Sequence, residues 1–346
     1  MKKFEKVLSL LVALSLVVCA FAACGGNKAG TDGSTDNANA APGETLKIGI
    51  MQFGEFDALQ KAAQGFIDGL AEAGYKDGEN ITLHTLSAAA DTANCPSIAD
   101  TLINEGSDLI LAIATPSVSA IKEKTSDIPV LFTAVTDPAG SGLVASNDAP
   151  GANITGTSDM NPVKEQIDLI KEIYPDAAKV AVMYCSSESN SAAQYELAKA
   201  ELEALGLECV QQTVAAIDEV KSAIESLQGK VDAIYIPTDN TLADSMTSVA
   251  AAAKEAGLGI IAGEPGMVAD GALATYGIDY YELGKQTAEM AVKVLQSEDK
   301  AAACASMPVV YQVEQCKYAK NDDTAAALNV TLPESINWEI TYAAAK

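Results

Sequence analysis

The sequence predicts a two-lobed α/β protein, each lobe a doubly wound parallel sheet, and three observations carry that prediction. Strand-like apolar runs alternate with amphipathic stretches of helical spacing along most of the chain, the pattern of β-α units joined by right-handed crossovers. Some of those runs, DLILAIA (108–114) above all, are unbroken and apolar, as a parallel strand covered on both faces requires. The third observation is the stretch from Pro129 to Met160. It opens as a strand (Val130 to Val135) and closes as another (Asn153 to Thr157), with a loop dense in Gly, Pro, Asp, Asn and Ser between them. The alternation then starts afresh, so this stretch marks the handover from one lobe to the next. A polar loop leaving a strand's carboxyl end at such a place lines a cleft. The expectation is a hinged binder rather than an enzyme, with Asp137 facing its ligand.

The elements follow in order. KIGIMQF, from Leu46, is a buried strand, and after a polar turn comes a helix whose apolar face holds Phe56, Leu59, Phe66, Ile67 and Leu70. Gly74 stops it. Asn80 to Leu86 alternates as a strand, with His84, the single histidine, opposite Ile81 and Leu83. Asn94 and Pro96 open a helix that Gly106 ends. DLILAIA, a helix opened by TPSVSA, and PVLFTAV complete the first lobe. The second repeats the scheme: helix Pro162 to Ile173, strand KVAVMY, helix Ser189 to Leu205 closed by Gly206, and strand ECVQQTV. A helix near Ile217 to Leu227, strand DAIYIP, a helix from Leu242 to Ala256 and strand LGIIAG follow. ALATYGIDYYELG leads into a helix (Leu283 to Leu295) that returns to the first lobe. MPVVYQ and a polar, partly helical tail holding Trp338 pack back over the outside. The expected boundaries are 46–152 with 280–305 for the first lobe, 153–279 for the second and 306–346 for the closing segment.

Composition narrows the partners. The 346 residues are 49% apolar but only 5% aromatic, enough for two lobes of helices packed on sheets. All 22 basic residues are Lys and stand against 47 acidic ones, a net charge of −25 that repels phosphate backbones and excludes nucleic acid. Without Arg there is no bidentate fork for a carboxylate, so an acidic ligand group falls to backbone N–H groups, hydroxyls or helix N-termini. The seven cysteines show no CxxC spacing, which argues against a disulfide framework and a zinc site. A Cys304–Cys316 bridge stays open, with Cys95, Cys185 and Cys209 as small buried hydrophobes. A lone histidine supports neither a catalytic triad nor a metal cluster, and no phosphate-cradling glycine motif occurs. No cofactor or metal is expected.

The first 24 residues are a leader: a basic MKKFEK, an apolar stretch too short to span a membrane, then Phe21-Ala22-Ala23-Cys24-Gly25-Gly26. That ending resembles the lipobox of bacterial lipoproteins, in which the cysteine, here Cys24, is lipidated after cleavage; the other reading is an ordinary secretory signal. Residues 25–45 are a low-complexity polar tether with nothing to bury.

DPAGSGLVAS (137–146), PGANITGTS (150–158), GALATYGIDYYELGKQTAEMAVKVL (271–295) and AKNDDTAAALNVTLPESI (319–336) together resemble segments of one family, the ABC-transporter substrate-binding lipoproteins related to tryptophan- and tyrosine-binding proteins. TDNTLADSM and GEPGMVADG fit as well, and the match keeps its order over the mature chain. The resemblance implies a type I periplasmic-binding-protein fold, two α/β lobes joined by a three-strand hinge and closing on a small solute.

Five loops at strand carboxyl ends are the candidate site. In the first, Gln52 is polar and Phe53 either stacks on a flat ligand or fills the core. Thr115 and Ser117, with Pro116 at a helix start, place hydroxyls and free N–H groups at a positive dipole end suited to a carboxylate, although capping alone explains them. Thr136 and Asp137 suit an ammonium or hydroxyl; the alternative for Asp137 is an Asx turn, and the resemblance favours the ligand. Ser186 and Ser187 are contacts in the fourth loop, where Ser189 and Asn190 read as caps. In the fifth, Asp239 and Asn240 are joined by Glu264 and Asp279, and a buried carboxylate there needs a cationic partner such as an ammonium.

The expected function is an extracytoplasmic solute-binding lipoprotein of an ABC importer, a monomer anchored to the bacterial membrane through Cys24 and working with permease subunits. Its solute is an aromatic amino acid, an expectation drawn from the resemblance, Phe53 and the carboxylate-rich second lobe. Branched-chain amino acids and nucleosides remain alternatives, as do a sensory module serving a chemoreceptor or kinase and an extracellular hydrolase.

Overall fold

The computed structural model describes residues 45–311 and 316–343; the leader, Cys24 and nearly all of the tether lie outside them. The first lobe is built from β1 (Leu46–Gln52), α1 (Asp57–Glu72), β2 (Ile81–Ser87), α2 (Cys95–Asn104), β3 (Leu109–Ile113), α3 (Thr115–Lys122), β4 (Val130–Thr133) and β5 (Ile154–Ser158). Its sheet runs β2, β1, β3, β4, β5 and then a short tail strand, all parallel. Every residue of β3 and β4 is buried, as their unbroken apolar character requires. The second strand of the predicted pair, β5, belongs to this first sheet rather than opening the second lobe at Asn153. It pairs with β4 in register Phe132↔Gly156, so close that a Cβ at Gly156 would stand 2.0 Å from the Phe132 carbonyl oxygen.

The second lobe follows: α4 (Val163–Ile173), β6 (Lys179–Cys185), α5 (Ser189–Ala204), β7 (Glu208–Val214), α6 (Val220–Leu227), β8 (Ala233–Ile236), α7 (Asn240–Asp244), α8 (Met246–Glu255), β9 (Gly259–Ala262), α9 (Pro265–Ala269) and β10 (Ala274–Gly277). The helix predicted from Leu242 to Ala256 is two helices. The Asp239 carboxylate caps α7 from an earlier start, and the backbone leaves helical geometry at Ser245. The chain returns with α10 (Tyr280–Leu295), α11 (Lys300–Ser306) and β11 (Val310–Tyr311), which is the edge strand of the first sheet. It ends with β12 (Lys317–Asn321), α12 (Asp322–Leu328) and β13 (Trp338–Tyr342). The tail therefore lengthens both sheets instead of only covering them: β12 lies antiparallel to β10, and β13 runs parallel beside β12.

Buried apolar side chains fill both faces of the second sheet, Met183, Ile234 and Ile260 on one side and Val182, Tyr235 and Ile261 on the other. In the first lobe the core includes Leu283, Ala288 and Ala291 of α10, which packs along α1. The two helices meet backbone to backbone: a Cβ at Gly65 would lie 2.0 Å from the Tyr281 carbonyl oxygen, and one at Gly284 2.0 Å from that of Ala62. The chain changes sheets after β5, after β10 and between β11 and β12. The first two crossings are tied together, since Asn161 Oδ1 accepts from the Ile278 N–H (3.1 Å) while its Nδ2 donates to the Asp159 carbonyl (3.0 Å). The Cys304–Cys316 bridge does not form: both are free thiols, Cys304 buried, and burial pushes each up to about 12.

Candidate functional site

The carboxyl ends of the two sheets face each other across a cavity of about 20 Å³, room for about one water. Ala134, Thr136 and Asp159 line it from the ends of β4 and β5, Phe56 and Leu59 from the start of α1, and Tyr280 from α10. The second lobe contributes Asn190, Thr238, Asp239, Asn240, Glu264 and Met267. The lobes also touch directly, Thr136 Oγ1 to Thr238 Oγ1 and Ser141 Oγ to Ser189 Oγ, both at 3.4 Å. Ala114 and Ala134, at the ends of adjacent strands in the first lobe, hold φ of 76° and 55°. A positive φ in a residue other than glycine costs on the order of 1–3 kcal/mol, and such strain gathers at functional sites.

Three carboxylates dominate the cavity, Asp159, Asp239 and Glu264, at 4%, 1% and 3% exposure. Among the described residues, none lining it is basic. Asp159 accepts from Thr136 Oγ1 (2.9 Å) and Tyr280 OH (2.8 Å), and burial raises its carboxyl above the ordinary range. Asp239 accepts from the Leu242 N–H (2.9 Å), the Cys185 N–H (2.7 Å) and Ser191 Oγ (2.8 Å). Burial first, and the nearby Glu188 second, push it up to about 8. Glu188 in turn accepts from the backbone N–H groups of Asn240 (2.9 Å) and Thr241 (2.7 Å), so α7 begins on two carboxylates. Glu264 caps α9 through the N–H groups of Gly266 (2.5 Å) and Met267 (2.8 Å), and burial lifts it to about 7.

Of the predicted residues, Thr136, Asp239, Asn240 and Glu264 come together at this cavity. Gln52 and Ser117 lie buried at the same edge of the first sheet, and Gln52 Nε2 and Ser117 Oγ have no hydrogen-bond partner among the described residues. Thr115 is buried at the start of α3, its carbonyl accepting from Ser119 Oγ. Others lie elsewhere. Phe53 fills the first-lobe core, and Asp137 folds back to accept from the Gly140 N–H (2.8 Å) of its own loop. Ser186 and Ser187 are exposed. Asp279 caps α10 and pairs with Lys317 (3.2 Å) beside a neighbouring cavity of about 270 Å³. Asp159, Tyr280, Phe56, Leu59, Ala134 and Met267 are among the cavity residues that sequence reasoning missed, and Asn190, read as a cap, lines it too. Asp159 did carry a signal: it is the first carboxylate after a predicted strand, the same position that singled out Asp137.

Two parallel-sheet lobes, a chain that crosses between them three times and a polar cleft at the facing carboxyl edges define a binding protein of the type I periplasmic fold. The chain belongs to the ABC transporter substrate binding proteins, whose family model matches residues 47–343. It is 39% identical over 330 residues to the tyrosine-binding protein of Clostridioides difficile (strain R20291), covering 95% of this chain and 94% of that one. Among solved structures it is similar to the ABC domain in complex with L-Trp from Streptococcus pneumonia, with 34% identity, 86% of this chain and 100% of that chain covered, and a TM-score of 0.81. It is similar too to the ligand-free, open structure of a substrate binding protein with adhesive properties from Clostridium difficile (39% identity, 86% and 100% covered, TM-score 0.67). No helix among the described residues is long and apolar enough to cross a membrane.

Proposed function

We propose that this chain is the extracytoplasmic receptor of an ABC importer, anchored through Cys24, and that its lobes close on an aromatic amino acid. The observation that carries the reading is the set of three buried carboxylates around a cleft that no basic residue lines among the described ones. A ligand ammonium would give buried carboxyls of this kind the cationic partner that the cavity lining does not supply. For the ligand's carboxylate the first lobe offers Gln52 Nε2 and Ser117 Oγ, two donors without protein partners, beside the start of α3. They replace the guanidinium that a chain without Arg lacks. Phe56, Tyr280 and Met267 supply apolar surface for a ring.

Closure supports the same reading. The chain is nearer in shape to the L-Trp complex than to the open, ligand-free relative, although it shares more sequence with the latter. A cleft with room for about one water cannot admit an amino acid without opening, so binding proceeds through an open form that the ligand draws shut. The permease then meets the closed form. Mass spectrometry of solute released on denaturing the native protein, followed by calorimetry with L-tyrosine and L-tryptophan, tests the assignment. An aliphatic or sugar-like solute, with no heat from either amino acid, would refute it. Loss of membrane partitioning in Cys24→Ala tests the anchor.

A further inference from the structure

The three cleft carboxylates are not equivalent. Asp239 and Glu264 are committed to backbone: each caps a helix, and Asp239 also holds the Cys185 N–H at the end of β6. A ligand nitrogen drawing on either would compete with bonds that start α7 or α9. Asp159 spends its side chain differently. Its two partners are the hydroxyls of Thr136 and Tyr280, both of which line the cavity and can turn aside. Thr136 Oγ1 has a second partner waiting in Thr238 Oγ1 at 3.4 Å, while the Tyr280 hydroxyl oxygen accepts from Asn161 Nδ2 at 3.5 Å and keeps its proton for an acceptor in the cavity.

Position adds to this. Asp159 directly follows β5, on the first crossing between the lobes, and its carbonyl holds Asn161, whose Oδ1 grips the Ile278 N–H of the second crossing. A group bound there is at the hinge itself. The charged and titratable side chains around it are Tyr280 of α10, Asp239 after β8 with Glu188 behind it, and Glu264 after β9. Glu264 in turn feels Lys61 and Asp57 of α1. Among the described residues, none lining the cavity is a cation. A carboxyl so enclosed favours its neutral form, and burial does raise Asp159.

We infer that Asp159 is the anchor for the cationic nitrogen of the ligand, and that it releases its own proton to solvent when the ammonium arrives. The inference rests on the amino-acid reading above. The exchange balances: a carboxylic acid and an ammonium ion become a carboxylate–ammonium pair, and one proton passes to the buffer. Affinity for the amino acid consequently rises with pH, while affinity for an analogue without the amino group does not.

Calorimetry on the full-length protein tests it, with L-tyrosine and L-tryptophan as probes beside hydroxyphenylpropionate and indolepropionate, which lack the nitrogen. Titrations run in phosphate and in Tris, whose ionisation heats differ, report protons released. Wild type should release protons with the amino acids and bind the des-amino compounds more weakly. Asp159→Asn, which keeps the shape of the side chain, should lose about 30- to 1,000-fold in affinity for the amino acids. It should change little toward the analogues and release fewer protons. Equal wild-type affinity for acid and amino acid would overturn the proposal without any variant. So would wild-type affinity in Asp159→Asn, or an equal loss for both ligand types. If wild type binds neither amino acid, the ligand assignment itself falls and the proposal with it.

Discussion

Glu264 carries the clearest consequence of burial for a single residue. Its carboxyl is raised from 4.5 to about 7 because burial takes it out of water, and two backbone N–H bonds offset only part of that cost. The folded protein thus keeps a proton that the unfolded chain gives up. Between those two values folding binds protons, so stability falls as pH rises through the window and the loss is complete above it. For this residue the loss is on the order of 3 kcal/mol. Asp239, raised to about 8, carries the decline further upward. Urea denaturation of the ligand-free protein at several pH values should show that slope, and Glu264→Gln should make it shallower between 4.5 and about 7, leaving the share that Asp239 contributes. A parallel slope in the variant would assign the pH dependence to other groups. At this scale the sequence was half legible. Polar residues at strand ends could be found by pattern, but whether a strand-end carboxylate turns inward, as Asp159 does, or folds back on its own loop, as Asp137 does, depends on packing.

At the scale of elements, the pairing of α1 with α10 matters most, because it brings the returning chain onto the first lobe. Gly65, Gly69 and Gly284 make the approach possible. A methyl group at Gly65 would collide with the Tyr281 carbonyl at 2.0 Å, a backbone atom that cannot swing away. Gly65→Ala should therefore cost about 1–3 kcal/mol or more by overpacking, despite the better helix propensity of alanine. Thermal unfolding of the variant is the measurement, and an unchanged or higher midpoint would show that the helices can part at little cost. Most elements were legible from periodicity and caps. The short helices were not: α7, α9 and α11 run five to seven residues, too few for a periodic signal. Two of them begin on the cleft carboxylates Asp239 and Glu264.

For the whole molecule the consequence is mechanical. Ser141 and Ser189 stand on opposite lobes with their Oγ atoms 3.4 Å apart, near enough for a disulfide if both become cysteine. The oxidised Ser141→Cys/Ser189→Cys protein should be held shut and take up L-tyrosine or L-tryptophan far more slowly than the reduced form. Stopped-flow binding before and after reduction tests this, and equal rates would mean that ligand reaches the cleft without the lobes parting.

The sequence by itself determined the two-lobed α/β architecture, since hydrophobic period, strand length and helix caps are local properties that a chain displays along its length. Its 47 acidic residues, 22 lysines and lack of Arg likewise set the expectation that a ligand's charges are met by carboxylates and neutral donors. Tertiary structure decided the rest. That β5 completes the first sheet, that β12 and β13 extend the second, and that Asp159, Tyr280, Asp239 and Glu264 surround one cavity are facts about segments far apart in the chain. Which partner a strand finds, and which carboxylate is sealed from water, depends on the three crossings that bring two separate sheets edge to edge.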